Sequence, residues 1–467
     1  MAKEKNTAKE LKEKLFMDKK NAGLTMSDAE LKKADKFCEG YKEFLDVGKT
    51  EREAAIKAVE LAKKAGFSEF VVGKKYKAGD KVYYLNRGKA LILAVIGKES
   101  IDKGVKILAA HIDSPRLDLK QNPLYEDNEL AFFKTHYYGG IKKYQWTTIP
   151  LALHGVIVKG DGSVVEVCIG EKDDEPVFVV TDLLPHLAQE QMKRPANKII
   201  TGEELNILIG SRPFKDDEAS ERVKLNIMNM LFEKYGIVEE DFLSAELEAV
   251  PAFKARDIGF DRSLLGAYGQ DDRVCGYTSL MATIELKNAP AKTVVTVLTD
   301  KEETGSDGNT GLQSAYLEYF IADLAEAYGV SGRAVLSASK CLSADVNAGF
   351  DPTFPDVLER KNAAFVGKGT VLTKFTGSGG KGGTNDANAE FVGEVRKIFN
   401  DNKISWQTAE LGKVDFGGGG TVAKYIANLN VDTIDLGVPV LSMHAPFEIT
   451  SKTDVYMTYK AFAAFIK

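Results

Sequence analysis

Short apolar runs that stop at acidic or imidazole side chains set the texture of this chain. VKILAAHID ends in His111 and Asp113, TVVTVLTDKEETG passes into Glu302 and Glu303, and KCLSADV runs into Asp345. PVLSMHAPFE carries His444, and Asp271 and Asp272 stand just ahead of VCGYTSLMATI. Apolar runs of this length predict buried strands rather than membrane spans.

The spacing of EREAAIKAVELAKKAGF predicts a helix that closes on Gly66. KVYYLNRG, KALILAVIG and VKILAAHID predict successive strands after it. IPLALHGVIVKGDGSVVEVCIG predicts a pair of strands joined by a turn at Gly160-Asp161-Gly162. PVFVVTDLLPHLAQEQ follows, then a polar stretch through KDDEASERVKLNIMNMLFEKYG. From about Ala252 onward, apolar strands alternate with amphipathic helices, as in a doubly wound sheet. The expectation is an α/β body built from residues 1–117 and 252–467, interrupted by an inserted, strand-rich part over residues 118–251.

Composition narrows the class. At 467 residues the chain exceeds one ordinary core, and 44% hydrophobic with 28% charged residues excludes general disorder. A net charge of −6 gives no electrostatic reason to expect nucleic acid or an anionic membrane as partner. MAKEKNTAKELKEKLF is charged throughout and lacks the apolar core of a signal peptide. Cys38, Cys168, Cys275 and Cys341 are widely spaced and form no CxxC pair, which points to reduced thiols in a cytoplasmic setting. Cys275 and Cys341 read as small buried residues.

His, Asp and Glu at strand ends are ligand types for a divalent metal, and active-site groups of open α/β sheets gather at the carboxyl edge. Each has a plainer reading. His111 alone fits a core histidine; Asp113, two residues on along a strand, adds a carboxylate on its face to orient it. Glu302-Glu303 fits a helix start, yet Gly305-Ser306-Asp307-Gly308 follows as a loop. Adjacent carboxylates there can divide the work, one holding metal and the other taking a proton from water. Asp271-Asp272-Arg273 by itself is a charged turn. GSGGKGGT at 377–384 fails the P-loop spacing, and DFGGGGTVAKY at 415–425 fails the dinucleotide-binding one. Both read as loops of close backbone approach. For His136, His154 and His186 a structural role is the default.

Taken in order, HIDSPRL, GQDDR, DKEETGS, SADV and MHAPFE resemble the M18 family of metallo-aminopeptidases, the aspartyl aminopeptidase family, over nearly the whole chain. The resemblance implies a three-layer α/β/α zinc-peptidase domain interrupted by a β-rich dimerisation domain, and dimer-based dodecamers. It implies that His111 and Asp345 hold one zinc ion, Glu303 and His444 another, and that Asp271 bridges them. Glu302 is then the general base and Asp113 orients His111. Cobalt or manganese are expected to substitute for zinc. Peptides with a free N-terminus are the implied substrates, with Lys374 pairing with acidic N-terminal side chains; Lys381 is the second candidate. Some members carry a histidine just past a Pro-His-Leu-Ala sequence; here Pro185–Ala188 leads to Glu190. A related di-metal amide hydrolase, and a catalytically silent assembly protein of the same fold, are the competing readings.

Overall fold

The computed structural model describes residues 7–216 and 218–467. Its main sheet has nine strands in the spatial order Ser68–Glu69, Lys81–Asn86, Ala90–Val95, Val294–Thr299, Lys106–His111, Lys340–Ser343, Asp432–Gly437, Thr370–Thr373 and Trp406–Thr408. The four central strands, from Val294–Thr299 to Asp432–Gly437, run parallel. Strands buried on both faces read as unbroken apolar runs, and the parallel Val294–Thr299 and its antiparallel neighbour Ala90–Val95 are buried at every position.

The strand period splits each run between two cores. Leu91, Leu93 and Val95 join Leu108 and Ala110 on one face. The helices Asp28–Val47, Glu51–Lys64, Gln270–Ile284 and Lys452–Phe465 cover that face. Ala90, Ile92 and Ala94 join Ile107 and Ala109 on the other, under Tyr316–Glu326 and Gly332–Ser337. The result is a helix–sheet–helix sandwich. The predicted helix over Glu51–Lys64 is present, with Thr50 capping it by accepting from Glu53 N and Gly66 at φ +89° just beyond its end.

A second, seven-stranded sheet draws all its strands from between Arg116 and Pro251. The predicted strand pair is Leu151–Val158 against Val164–Ile169, antiparallel. Arg116–Asp127, Leu130–Tyr138 and Ala245–Pro251 complete most of the rest, over a separate core around Trp146, Leu153, Ile207 and Phe242. The segment read as a polar stretch contains a helix, Arg222–Tyr235. It lays Met228, Leu231 and Tyr235, at spacings of three and four, on that core, so one apolar stripe suffices to dock a helix of otherwise polar composition. No helix among the described residues is long and apolar enough to cross a membrane.

Candidate active site

The parallel strands deliver their chemistry at one edge. His111 is the last residue of Lys106–His111. Asp300, Lys301, Glu302 and Glu303 leave the neighbouring strand Val294–Thr299, and Asp345 leaves Lys340–Ser343 on the other side. Asp271 comes from above, at the N-terminal end of the helix Gln270–Ile284, before its backbone becomes helical. His444 sits in the loop between Pro439–Val440 and Glu448–Ser451.

Asp271 is the hub. Its Oδ1 lies 3.2 Å from His111 Nε2 and its Oδ2 lies 3.2 Å from His444 Nε2. Asp345 Oδ1 is 3.9 Å from His111 Nε2, and Glu303 Oε1 is 3.6 Å from His444 Nε2. Ligand atoms of His111, Asp271 and Asp345 lie within 4.8 Å of one another, as do those of Asp271, Glu303 and His444. Glu302 Oε2 is 3.9 Å from His111 Nε2.

The outer nitrogens of both imidazoles are occupied. His111 Nδ1 is 3.0 Å from the Asp113 carbonyl and 3.3 Å from Asp113 Oδ1. His444 Nδ1 is 2.7 Å from the Gly140 carbonyl oxygen, which can only accept, so Nδ1 carries the proton. That leaves the Nε2 atoms turned inward, as metal-ligating histidines present themselves.

Electrostatics mark the centre as short of positive charge. Burial, then the nearby Asp113 and Asp271, push the Glu302 carboxyl up to about 7. Burial and Asp271 raise Glu303 well above the carboxylate range, and burial with Asp272 and Glu302 does the same to Asp345. Burial also opposes the charge on Asp271, but His111 and His444 outweigh it and hold that carboxyl low. Glu303 Oε1 and both carboxylate oxygens of Asp272 are buried without a hydrogen-bond partner. Buried carboxylates in this state call for a cation.

A cavity of about 430 Å³ opens over these groups. Lys374 is not among its lining residues: its ammonium pairs with Asp386, as does that of Lys381 at 2.8 Å. The lysine on the cavity wall is Lys424, next to Tyr425, Thr421 and the buried Asp435. The two glycine tracts form another stretch of wall through Gly383 and Gly418–Gly420. They touch: Gly419 N donates to the Thr376 carbonyl at 3.0 Å, and a Cβ on Gly418 (φ +96°) would collide with the Gly377 backbone.

Several supporting groups escaped the sequence reading. Glu448 accepts from His444 N at 2.8 Å and from Asp271 N at 3.1 Å, tying the two together. Ser114 Oγ donates to the Asp271 carbonyl at 2.7 Å. Tyr138 and Gly140 reach the site from the seven-stranded sheet and the loop after it. Glu448 closes the MHAPFE motif, and its spacing of four from His444 was the available signal.

Residues 44–466 match the family model for the aminopeptidase I zinc metalloproteases (M18). A probable M18 family aminopeptidase 1 of Clostridium acetobutylicum is 54% identical over 460 residues, spanning 97% of this chain and 99% of its own. The crystal structure of an M18 aminopeptidase from Thermotoga maritima superposes with a TM-score of 0.92 at 43% identity, covering 97% of this chain and all of the other. At 21% identity the fold extends to the S. cerevisiae mApe1 dodecamer, with a TM-score of 0.74 over 94% of this chain and 97% of that one. On a family match that spans the site and nearly all of the chain, this protein belongs to the M18 aminopeptidases, a family of zinc metalloproteases.

Proposed function

We propose that the protein removes the N-terminal residue of peptides at a centre for two zinc ions. His111 and Asp345 would hold one, Glu303 and His444 the other, and Asp271 would be shared. The observation that carries this reading is the division of Asp271, one carboxylate oxygen toward each histidine. The donor set fits zinc, which takes imidazole nitrogen and carboxylate oxygen, and the unpartnered Glu303 Oε1 is a ligand atom to spare. Bound zinc supplies Lewis acidity, lowering the pKa of water toward neutrality and polarising the peptide carbonyl.

The chain's own residues do the rest. Glu302 accepts the proton of the attacking water and passes it to the leaving amine, its Oε2 standing 3.9 Å from His111 Nε2 at the edge of the ligand cluster. Asp113 acts as a positioning residue, since it faces His111 Nδ1 and accepts from Glu302 N and Glu303 N, each at 3.1 Å. What separates this reading from a carboxypeptidase or deacylase is the substrate end that is bound, a free amine rather than a terminal carboxylate or a blocked end. A preference for acidic N-terminal side chains belongs to the same reading, with Lys374, freed from Asp386, or the wall-lining Lys424 as the cation. Cobalt or manganese would substitute for zinc.

Self-association completes the proposal: a dimer contact through the part spanning residues 118–251, within a dodecamer. The fold shared with the dodecameric yeast structure supports it. Light scattering at micromolar concentration tests it, and a monomer there counts against it. A cytoplasmic location is supported by four free thiols. The catalytic reading is tested with a panel of amino-acyl and N-blocked chromogenic amides: hydrolysis of the free-amine substrates alone is expected, and hydrolysis of the blocked ones alone would overturn it.

A further inference from the structure

A second convergence of metal-ligand types lies away from the peptidase centre, where the Glu51–Lys64 helix meets the seven-stranded sheet. His154 and Cys168 are register partners on the antiparallel strands Leu151–Val158 and Val164–Ile169, so their side chains rise from one face. Glu53 reaches them from the helix. The ligand atoms of Glu53, His154 and Cys168 lie within 4.8 Å of one another. Cys168 is exposed, His154 is buried, and a cavity of about 400 Å³ opens beside them.

The surroundings are organised as a metal site's would be. His154 Nε2 lies 3.1 Å from Glu171 Oε1, and Glu171 is itself held by Lys49 at 2.7 Å and Lys254 at 2.5 Å. A carboxylate behind the ring fixes the imidazole and leaves Nδ1 as the ligand atom. His154 Nδ1 is 2.7 Å from Glu53 Oε1, while Glu53 Oε2 is anchored by Thr50 N at 3.1 Å. We propose that Glu53, His154 and Cys168 form a site for a thiophilic divalent cation of the zinc class, distinct from the peptidase centre.

The charge balance is neutral. As a divalent ion enters, the Nδ1 proton of an imidazolium and the thiol proton leave, so the cluster keeps its net charge. Lys49 and Lys254 retain Glu171 as their own partner. Ligand bonds of about 2.0–2.3 Å set tetrahedral ligand separations of roughly 3.5 Å, so the Nδ1–Oε1 gap has to widen by under about 1 Å. The open cavity leaves room for water as a fourth ligand. The ion would brace the helix of the α/β body against the second sheet.

Sulfur makes the site separable from the peptidase centre, whose candidate ligands are nitrogen and oxygen only. Full-length protein is stripped of metal, loaded with cobalt(II), and examined for the near-ultraviolet charge-transfer absorption that only thiolate ligation gives. The band is expected in the wild type and lost in Cys168→Ser, with cobalt content reduced and aminopeptidase activity kept. Glu53→Gln, checked for folding by circular dichroism and for its free thiol by titration, is expected to weaken the band as well. Absence of the band from folded wild type, or its survival in Cys168→Ser, overturns the proposal and leaves His154 as an imidazolium held between two carboxylates.

Discussion

The Tyr138 hydroxyl donates to Asp113 Oδ2 across 2.7 Å, from the seven-stranded sheet into the carboxyl edge of the nine-stranded one. Asp113 is thereby fully engaged. One oxygen takes Glu302 N and faces His111, and the other takes Glu303 N and Tyr138. Removing the hydroxyl in Tyr138→Phe deletes a hydrogen bond to a buried charge, a contact of about 1.5–3 kcal/mol. The expected result is a fall in kcat of roughly tenfold with metal content intact, since each 1.4 kcal/mol is a factor of ten. Unchanged steady-state kinetics would show that the Tyr138 contact does not position the site.

Glu302→Gln keeps the side chain's size but not its ability to accept a proton. Turnover is expected to fall by about 10²–10⁴-fold while zinc content stays near the wild-type value. If Glu302→Gln loses metal and Glu303→Gln retains it, the roles of the two neighbours are exchanged.

Metal dependence separates the shared ligand from the others. Chelation is expected to abolish activity, and zinc, cobalt or manganese to restore it. Asp271→Asn removes the carboxylate facing both histidines and should deplete both ions, whereas His444→Ala should deplete mainly one. Elemental analysis after gel filtration reads the difference; equal depletion in both variants would argue against a shared Asp271.

The strand ends were the legible part of this site. A buried parallel strand has an apolar run that must terminate, so the residues just past it fall at a common edge whatever the loops do. That logic places His111, Glu302, Glu303 and Asp345 together from sequence alone. It does not extend to Tyr138, Gly140 and Glu448, which arrive through contacts between separate sheets and loops with no local signature. Nor does it fix the direction of a side chain at a strand's end. Thr373 is the last residue of its strand and lines the cavity; Lys374, one residue on, pairs instead with Asp386.

The cation behind any acidic preference can be assigned by substitution. Lys374→Ala and Lys424→Ala are compared on N-terminal Glu, Asp and Leu substrates. Lys424→Ala is expected to depress kcat/KM on the acidic substrates more than on Leu, because Lys424 is the lysine on the cavity wall. If Lys374→Ala alone shows that pattern, Lys374 swings away from Asp386 when substrate binds. Equal loss on all substrates in both variants removes the acidic preference and leaves the aminopeptidase activity standing.

Acid sensitivity should centre in part on Asp257. Burial works against its charge, but Lys452 at 2.9 Å, Arg262 at 2.8 Å and Lys42 at 3.0 Å outweigh it and hold the carboxyl well below its ordinary range. A depressed folded-state value means that the unfolded chain binds the extra proton, so this stability is present above about pH 4 and drains away as pH falls. Asp257→Asn should cost about 1–3 kcal/mol at neutral pH and measurably less at about pH 3, where the loss has begun but is not complete, read from denaturant midpoints at both pH values. A cost independent of pH would assign the effect to packing.

The contact between the two glycine tracts sets a limit on how this enzyme can diversify. Where main chain lies against main chain at Gly377 and Gly418, no larger residue fits without separating the loops, so those two positions are closed to point mutation, whereas a Cβ at the cavity-lining Gly420 meets nothing within 4 Å. Changes of selectivity among descendants of this chain are left to Gly420 and to lining side chains such as Thr373, Lys424 and Tyr425, which can be exchanged without parting the two loops.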